Sequence, residues 1–371
     1  VIKQIASYEE FRGLRDEWDA LLEKSGAGSI FLTWEWMNSW WNNFKRTNEL
    51  YVLVGRDASG GIIGIAPLMK RSKKVFGVTL RCIEFISAGA ETTPDYLNFI
   101  MAAGCEDLFI REVLAYAEAR REEWDIISLM AVSEDGDMLS RIRSVLGKSH
   151  DYAIRSGGSC VFMELPKTWD EYVKKLSRKS RYNIMKKERE LASKCRLEFT
   201  ICDSAGALNE TIETLSELHR KRMLQKGISG SSITGGFWKF QKDVAGDFFA
   251  KGWLLIGLLK ADGKIIACQY AYLYRNKLFH YQSGFDPAWR KYSIGLISNA
   301  HMIQESIRRG LTEYDFLRGN EDYKYHWASR ARVCSDIIIS GRNVRAKFFM
   351  LARHCQELMQ QAKSRFAQGR N

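Results

Sequence analysis

The sequence predicts an α/β protein built from two similar units and closed by a long C-terminal helix. Three observations carry that prediction. A chain of 371 residues is long for one domain and suits two. Two stretches repeat a strand–turn–strand pattern at a constant offset of 202 residues. The final stretch, 342–371, places apolar side chains at helical spacing.

The repeated hairpins are YVLVGRDASGGIIGIAPLM, from Tyr51, and WLLIGLLKADGKIIACQYAYL, from Trp253. Gly55 matches Gly257, Gly61 matches Gly263 and Ile63 matches Ile265. The Asp262-Gly263 pair is a strong signal for a two-residue hairpin turn. A second echo follows. A helical run ending in Arg120-Arg121 leads into Trp124-Asp125-Ile126-Ile127, and one ending in Arg308-Arg309-Gly310 leads into Tyr314-Asp315-Phe316-Leu317. The shared order of hairpin, helix and strand reads as an internal duplication, with units at 1–165 and 166–341. In the second unit the pattern predicts strands at 253–260, 264–275 and 277–284, a loop, a helix at 294–309 and strands at 313–318 and 333–340. Runs such as WLLIGLL are nearly continuously apolar, as in strands buried on both faces.

In the tail, Val344, Phe348, Leu351, Cys355, Leu358, Ala362 and Phe366 recur at spacings of three and four, with basic residues opposite. That stripe predicts a helix docked on the body, or a helix that pairs two copies of the chain. Monomer and homodimer therefore both stay open.

Composition narrows the function classes. Apolar residues make up 46% and charged residues 27%, an ordinary globular balance. No apolar run reaches the roughly 18 residues of a membrane span. The N-terminal VIKQIASYEEFRGLRDEW is mixed and charged, which is not expected of a signal peptide. Eight cysteines occur without a CxxC pair, which predicts reduced thiols of a cytoplasmic protein and no zinc or other metal site. The net charge of +12 is concentrated in two segments. Residues 172–196 hold ten basic and two acidic side chains, and residues 342–371 hold seven and one. The remainder is near neutral, which favours local anion sites over general polycation behaviour.

The segment SGFDPAWRKYSIGLISNAHMIQESIRRG carries the sharpest chemical signal. It leaves a strand at Gly284, turns through Asp286-Pro287 and enters a helix near Ile294. Gly295 lets the backbone approach a ligand closely. Free N–H groups at the helix start, the positive end of the helix dipole, Arg290 and Lys291 together suit a pyrophosphate. The alternative is an ordinary loop–helix junction.

Here the sequence resembles the GNAT acyltransferases, which bind the pyrophosphate of acyl-CoA with a Q/R-x-x-G-x-G/A loop. Arg290-Lys291-Tyr292-Ser293-Ile294-Gly295 matches in register, with Ser293 in place of the first glycine. The resemblance implies that Arg290, Lys291, Ser293, Ile294, Gly295 and Leu296 hold acetyl-CoA or another acyl-CoA. The wider chain resembles the BioF2-like or CelD-like subgroup, related to the FemABX peptidyltransferases. The segments IFLTWEWMNSWW, TTPDYLNFI, LSRKSRYNIMKKERELA and GNEDYKYHW carry that likeness. It implies two tandem GNAT-like domains in a FemABX-like arrangement, a degenerate first and a cofactor-binding second, with the C-terminal helix returning to the first.

In GNAT enzymes an Asn after the fifth strand contacts pantetheine, and a later Tyr protonates the departing thiolate. Asn320 and either Tyr323 or Tyr325 are expected in those roles, and Lys324 could meet a phosphate or carboxylate. Asp315 and His280 are the candidate general bases. Asp125 echoes Asp315 in the unit without a cofactor loop, so a structural role competes for Asp315. A core role likewise competes for His280, and a base-free mechanism relying on positioning also stands.

Residues 172–196 are read as one basic helix with Val173, Leu176, Ile184 and Leu191 on its apolar face. It is a solvated surface, a contact to CoA phosphates or an anionic acceptor through residues such as Arg181, or a nucleic-acid surface. Only Tyr182 interleaves its charges, which weakens the last. Trp34, Trp36, Trp40 and Trp41 are helix-spaced and read first as core; an aromatic wall for a sugar or acyl group is the alternative. Asp95, Tyr96 and Tyr281 are candidate cleft residues. The expected activity is N-acylation of an amine, with an amino sugar of a surface polysaccharide as one candidate acceptor. Fem-type transfer from aminoacyl-tRNA and a non-catalytic CoA- or anion-binding protein are the alternatives.

Overall fold

The computed structural model describes residues 1–89, 91–147, 151–225, 227 and 235–368. The first half of the chain opens with β1 (Ile2–Ile5), α1 (Tyr8–Gly13), α2 (Arg15–Lys24) and α3 (Trp34–Phe44). Strands β2 (Glu49–Leu50), β3 (Val52–Arg56), β4 (Ile62–Ala66), β5 (Leu68–Val75), β6 (Val78–Phe85) and β7 (Ile100–Met101) follow. Then come α4 (Glu106–Glu118), β8 (Ile126–Ser133), α5 (Met138–Leu146) and β9 (Tyr152–Glu164). The second half begins with α6 (Trp169–Lys175), α7 (Arg178–Ala192), β10 (Leu197–Ile201), α8 (Leu208–Gln225) and α9 (Gly235–Ala250). Strands β11 (Leu254–Ala261), β12 (Lys264–Tyr274) and β13 (Lys277–Phe285) lead to α10 (Ile294–Arg308), β14 (Glu313–Arg318), α11 (Asp322–Tyr325), β15 (Arg330–Ser340) and α12 (Val344–Gln368).

The repeated hairpins are β3–β4 and β11–β12, both antiparallel. At the second turn Asp262 (φ 51°) and Gly263 (φ 80°) both lie at positive φ, as a type I′ turn requires. The echoing glycines do the same work in both halves. A Cβ on Gly55 would strike Phe109 of α4 and touch Ile2 of β1. A Cβ on Gly257 would strike Phe199 of β10 and Met302 of α10. Each glycine lets a neighbouring strand and a helix close over the hairpin.

The halves interlock through their last strands. An eleven-stranded sheet runs β10-β11-β12-β13-β14-β9-β15-β8-β6-β5-β2, and a four-stranded sheet runs β1-β3-β4-β7. Thus β9 of the first half lies against β14 of the second, and β15 of the second lies against β8 of the first. The two exchanged strands pair with each other along their length. The core is equally shared: Trp36 of α3 packs edge-on against Phe240 of α9 and Tyr272 of β12.

Two sequence expectations change. The basic stretch 172–196 is two helices, broken at Leu176, because Ser177 caps α7 by accepting from the Ser180 N–H. The expected docking stripe of α12 is not the buried face. Val344, Phe348, Leu351, Cys355 and Leu358 are exposed, while Ala346 and Phe349 pack on Leu80, Cys82, Ile126 and Ile338. Periodicity shows which residues share a face, not which face finds a partner. Ala362 and Phe366 lie outside the described side chains. Among the described residues, no helix is long and apolar enough to cross a membrane.

Candidate active site

Strands β13 and β14 run parallel but pair at only three positions, from Lys277–Glu313 to Phe279–Asp315. Beyond them β13 stays with β12 and β14 stays with β9, so the two part. The opening forms a cleft of about 410 Å³ between the end of β13, the starts of α7 and α10, and the segment after β14. Splayed parallel strands leave one edge of β13 free to meet a ligand.

The 290–295 loop lines this cleft through Arg290, Ser293, Ile294, Gly295 and Leu296. Its local folding is legible in the chain. Asp286 accepts from the Ala288 N–H, Pro287 opens a 3₁₀ turn, and Ser293 ends it in the left-handed conformation (φ 57°, ψ 42°). Glycine adopts that conformation most readily, so Ser293 holds it at a cost of about 1 kcal/mol. Among the described residues, the N–H groups of Ile294 and Gly295 donate to no protein acceptor; the first donor used is Leu296, to the Ser293 carbonyl. No acidic residue sits in the first turn of α10. A Cβ on Gly295 would meet only Phe285, at 3.9 Å, so the missing side chain leaves space toward the cleft. Lys291 does not line the cleft; its ammonium lies over the Tyr292 ring.

Beyond β14 the two candidate tyrosines separate. Tyr323 lines the cleft, and burial followed by the nearby Glu321 charge raises its pKa to about 12. Tyr325 is exposed and lies outside it, 3.5 Å from Asn320 Oδ1. Asn320 is also exposed and does not line the cleft. Lys324 is no ligand-facing cation: it is buried, with Nζ donating to the carbonyls of Leu317 and Arg318 at 3.0 and 2.8 Å and paired with Glu321.

Neither expected base fits its role. His280 is buried, with Nε2 2.5 Å from Gln269 Oε1. Burial and then the charges of Lys324 and Arg222 push its pKa down to about 3, so it is a neutral hydrogen-bond donor and a very weak base. Asp315 lies at a separate cavity of about 260 Å³, also lined by Tyr96, Lys277, Glu313 and Arg332. Tyr96 donates to its Oδ2 at 2.6 Å and the Leu317 N–H to its Oδ1 at 2.7 Å. Burial nevertheless pushes the Asp315 carboxyl up to about 7.

The other candidates are structural. Asp95 is buried and accepts from the Arg318 N–H at 3.0 Å and its Nε at 2.7 Å. Tyr281 donates to the Thr92 carbonyl at 2.5 Å within the shared aromatic core. Trp34 is buried against Phe11 at 6.1 Å, as a core reading requires. Arg181 does not line the cleft, although its α7 neighbours Ser180 and Asn183 do.

Three cleft residues escaped the sequence reading. His326 lines the cleft, with Nδ1–H donating to the Asp322 carbonyl at 2.8 Å, which leaves Nε2 as its free acceptor. Asn299 of α10 lines it with a buried Oδ1 lacking a partner among the described residues. Arg222 of α8 lines it from the opposite face of the sheet. Arg222 and His326 sit near helix ends, a place many surface residues share, and Asn299 sits inside α10, so none carries a distinguishing pattern.

Comparison with known proteins bears on the part of the chain that forms this cleft. Residues 178–325 match the family described as Acetyltransferase (GNAT) domain. That match lies within the second half of the chain. The match contains the 290–295 loop and Tyr323. No curated protein matches the sequence. Among solved structures, FemX is similar at 14% identity and a TM-score of 0.58, covering 87% of this chain and 95% of FemX. A conserved protein of unknown function from Bacteroides thetaiotaomicron matches at 12% identity and a TM-score of 0.59, covering 92% of this chain and 100% of that one. L-PGS from Bacillus licheniformis matches at 12% and 0.55, covering 94% and 96%. At these identities the likeness is one of fold. The chain thus has a FemX-like fold with a C-terminal helix.

Proposed function

We propose that the protein is an acyl-CoA-dependent N-acyltransferase of the BioF2-like or CelD-like kind, transferring a short acyl group such as acetyl to an amine. An amino sugar of a surface polysaccharide is one acceptor class within this reading, and the cytoplasm is the expected compartment. The observation that carries it is the meeting of the 290–295 loop, two open helix N–H groups and Tyr323 in one cleft.

Each part has a task. The N–H groups of Ile294 and Gly295, with Arg290, hold the pyrophosphate. Asn299 Oδ1 offers an acceptor to an amide N–H of the pantetheine arm. The free edge of β13 receives the thioester carbonyl and the oxyanion that forms from it. His326 Nε2 takes a proton from the acceptor ammonium or from the attacking amine. The amine nitrogen bonds to the thioester carbon, the carbon–sulfur bond breaks, and amide and free thiol result. A thiol, with an ordinary pKa near 8.5, is a stronger acid than the Tyr323 phenol. Tyr323 therefore serves as a fixed hydrogen-bond donor to the departing sulfur, and the net proton comes from the amine.

Release of free thiol from acetyl-CoA, screened against a panel of amines and amino sugars, tests this reading. Amine-dependent release that is lost in Gly295→Trp is expected. Salt-sensitive tRNA binding without CoA binding would instead favour aminoacyl transfer. That second reading is supported by Arg178, Lys179 and Arg189 of α7, which have no salt-bridge partner among the described residues.

A further inference from the structure

Acyl-CoA recognition leaves the Arg222 guanidinium of the cleft unused. Resting on the acyl-CoA reading, we infer that one of the two substrates carries a carboxylate, on the acyl chain or on the acceptor amine, that pairs with Arg222 beside the reacting thioester.

The placement is specific. Helix α8 packs on β13 from the face opposite α10: a Cβ on Gly284 would strike the His219 N–H nitrogen and Leu218 Cβ of α8. Leu215 and Leu218 of α8 join the large shared core, whereas Ile303 and Ile307 of α10 belong to a separate cluster. From that opposite face, α8 addresses Ser283 twice. His219 Nδ1–H donates to the Ser283 carbonyl at 3.1 Å, and one turn later Arg222 Nη1 donates to Ser283 Oγ at 3.1 Å. The guanidinium lies 4.8 Å from the centroid of Phe285.

Among the described residues, the charge has no ion-pair partner. Arg222 Nε is buried and has no hydrogen-bond partner, and no carboxylate lies within salt-bridge distance of the guanidinium among the described residues. Burial lowers its pKa, opposed by Tyr323 and Glu321. Other arginines in comparable surroundings are paired. Arg332 meets Glu313 at 2.5 Å and Asp315 at 3.2 Å, and Arg318 meets Asp95 at 2.7 Å. A part-buried guanidinium without a counter-charge is costly, and packing on Phe285 alone would be served as well by an apolar side chain. Arg222 therefore reads as half of an ion pair completed by substrate. The pyrophosphate has its own binders at the 287–292 turn and the start of α10, whereas Arg222 comes from α8 on the other face, near Tyr323. An arginine fork suits a planar carboxylate in particular.

Two matched probe pairs test this by calorimetry and turnover. On the acyl side, S-carboxymethyl-CoA is compared with S-carbamoylmethyl-CoA, which have the same shape and differ in charge. On the acceptor side, amino acids are compared with their amides as acceptors for acetyl-CoA. In at least one pair the acid is expected to be favoured about 10-fold or more, a charged hydrogen bond's typical share. Arg222→Gln should bring that ratio to about 1 with unchanged affinity for plain CoA, and Arg222→Lys should restore part of it. Equal use of acid and amide in both pairs, a preference that survives Arg222→Gln, or an equal loss of plain CoA binding would each overturn the assignment. Wild-type protein that binds no CoA would refute the acyl-CoA reading separately. Inorganic phosphate titrated against wild type and Arg222→Gln would then decide the anion site: binding lost in the variant retains it, and no binding removes it.

Discussion

Helices α4 and α10 stand in matching places, each closing over the glycine of a repeated hairpin, yet their first turns are opposite in character. Helix α4 begins with Glu106 and Asp107 after Cys105, and Asp107 is tied to Arg141 at 2.7 Å. Helix α10 begins with no acid, after Arg290, Lys291 and a left-handed Ser293. The same scaffold thus offers a negative turn in one half and an open, positive one in the other. Both helices keep the hairpin glycine's packing, so the scaffold is shared and the difference lies in a handful of residues at one helix start.

The echoing aspartates differ in the same way. Asp125 accepts from the Arg81 N–H at 2.7 Å, from its guanidinium at 2.8 Å and from Asn343 at 3.0 Å. Burial opposes its charge, but Arg81 more than offsets this and holds the carboxyl below its ordinary range. At Asp315 burial wins, and the carboxyl rises to about 7.

The largest expected effect breaks the symmetry of the two helix starts. Gly295→Trp should weaken CoA binding about 100-fold or more by filling the cleft, whereas Leu108→Trp, in the first turn of α4, should leave it within about 2-fold. Calorimetry on folded protein of matched melting temperature checks both. Next, Tyr323→Phe should lower kcat about 10- to 100-fold with little change in CoA affinity, while Tyr325→Phe should change neither. His326→Gln should lower kcat/KM about 10-fold or more with little change in CoA affinity.

The aspartates act on stability rather than on binding or turnover, with opposite signs in pH. Asp315 keeps its proton in the fold up to about pH 7, while the unfolded chain loses it near its ordinary value of 3.8. Its contribution is therefore present below the ordinary value and lost as pH rises through about 7, by at most about 4 kcal/mol. Asp315→Asn should gain in melting temperature relative to wild type between pH 5 and pH 8. Asp125, held low, contributes above its ordinary value and loses that contribution as pH falls. Asp125→Asn should cost about 1–3 kcal/mol at pH 7 and progressively less below pH 4. Thermal melts of the three proteins across pH measure both slopes.

Much of the second half was legible because its strands are long apolar runs and its turn residues are chemically specific. The strands at β11, β12, β13 and β14 and the helix α10 fall within one or two residues of their expected ends. Strand exchange between β9 and β15 was not legible, since side-chain pattern fixes which face is buried and not which strand lies alongside. The tryptophans read correctly as core, because an aromatic face at helical spacing needs a partner surface. Arg222 and His326 were missed for a reason of the same kind: a charged or polar residue facing a cleft has the same sequence pattern as one facing water. His280 misled because an apolar strand can hold a neutral histidine through one hydrogen bond to Gln269.

Titration of CoA into the wild-type protein, beside Arg290→Ala and Gly295→Trp, tests the central claim most directly. Saturable binding is predicted for wild type, weakened about 10-fold in Arg290→Ala and abolished in Gly295→Trp. Absence of binding by the folded wild type at millimolar CoA, or equal binding by all three proteins, would contradict it.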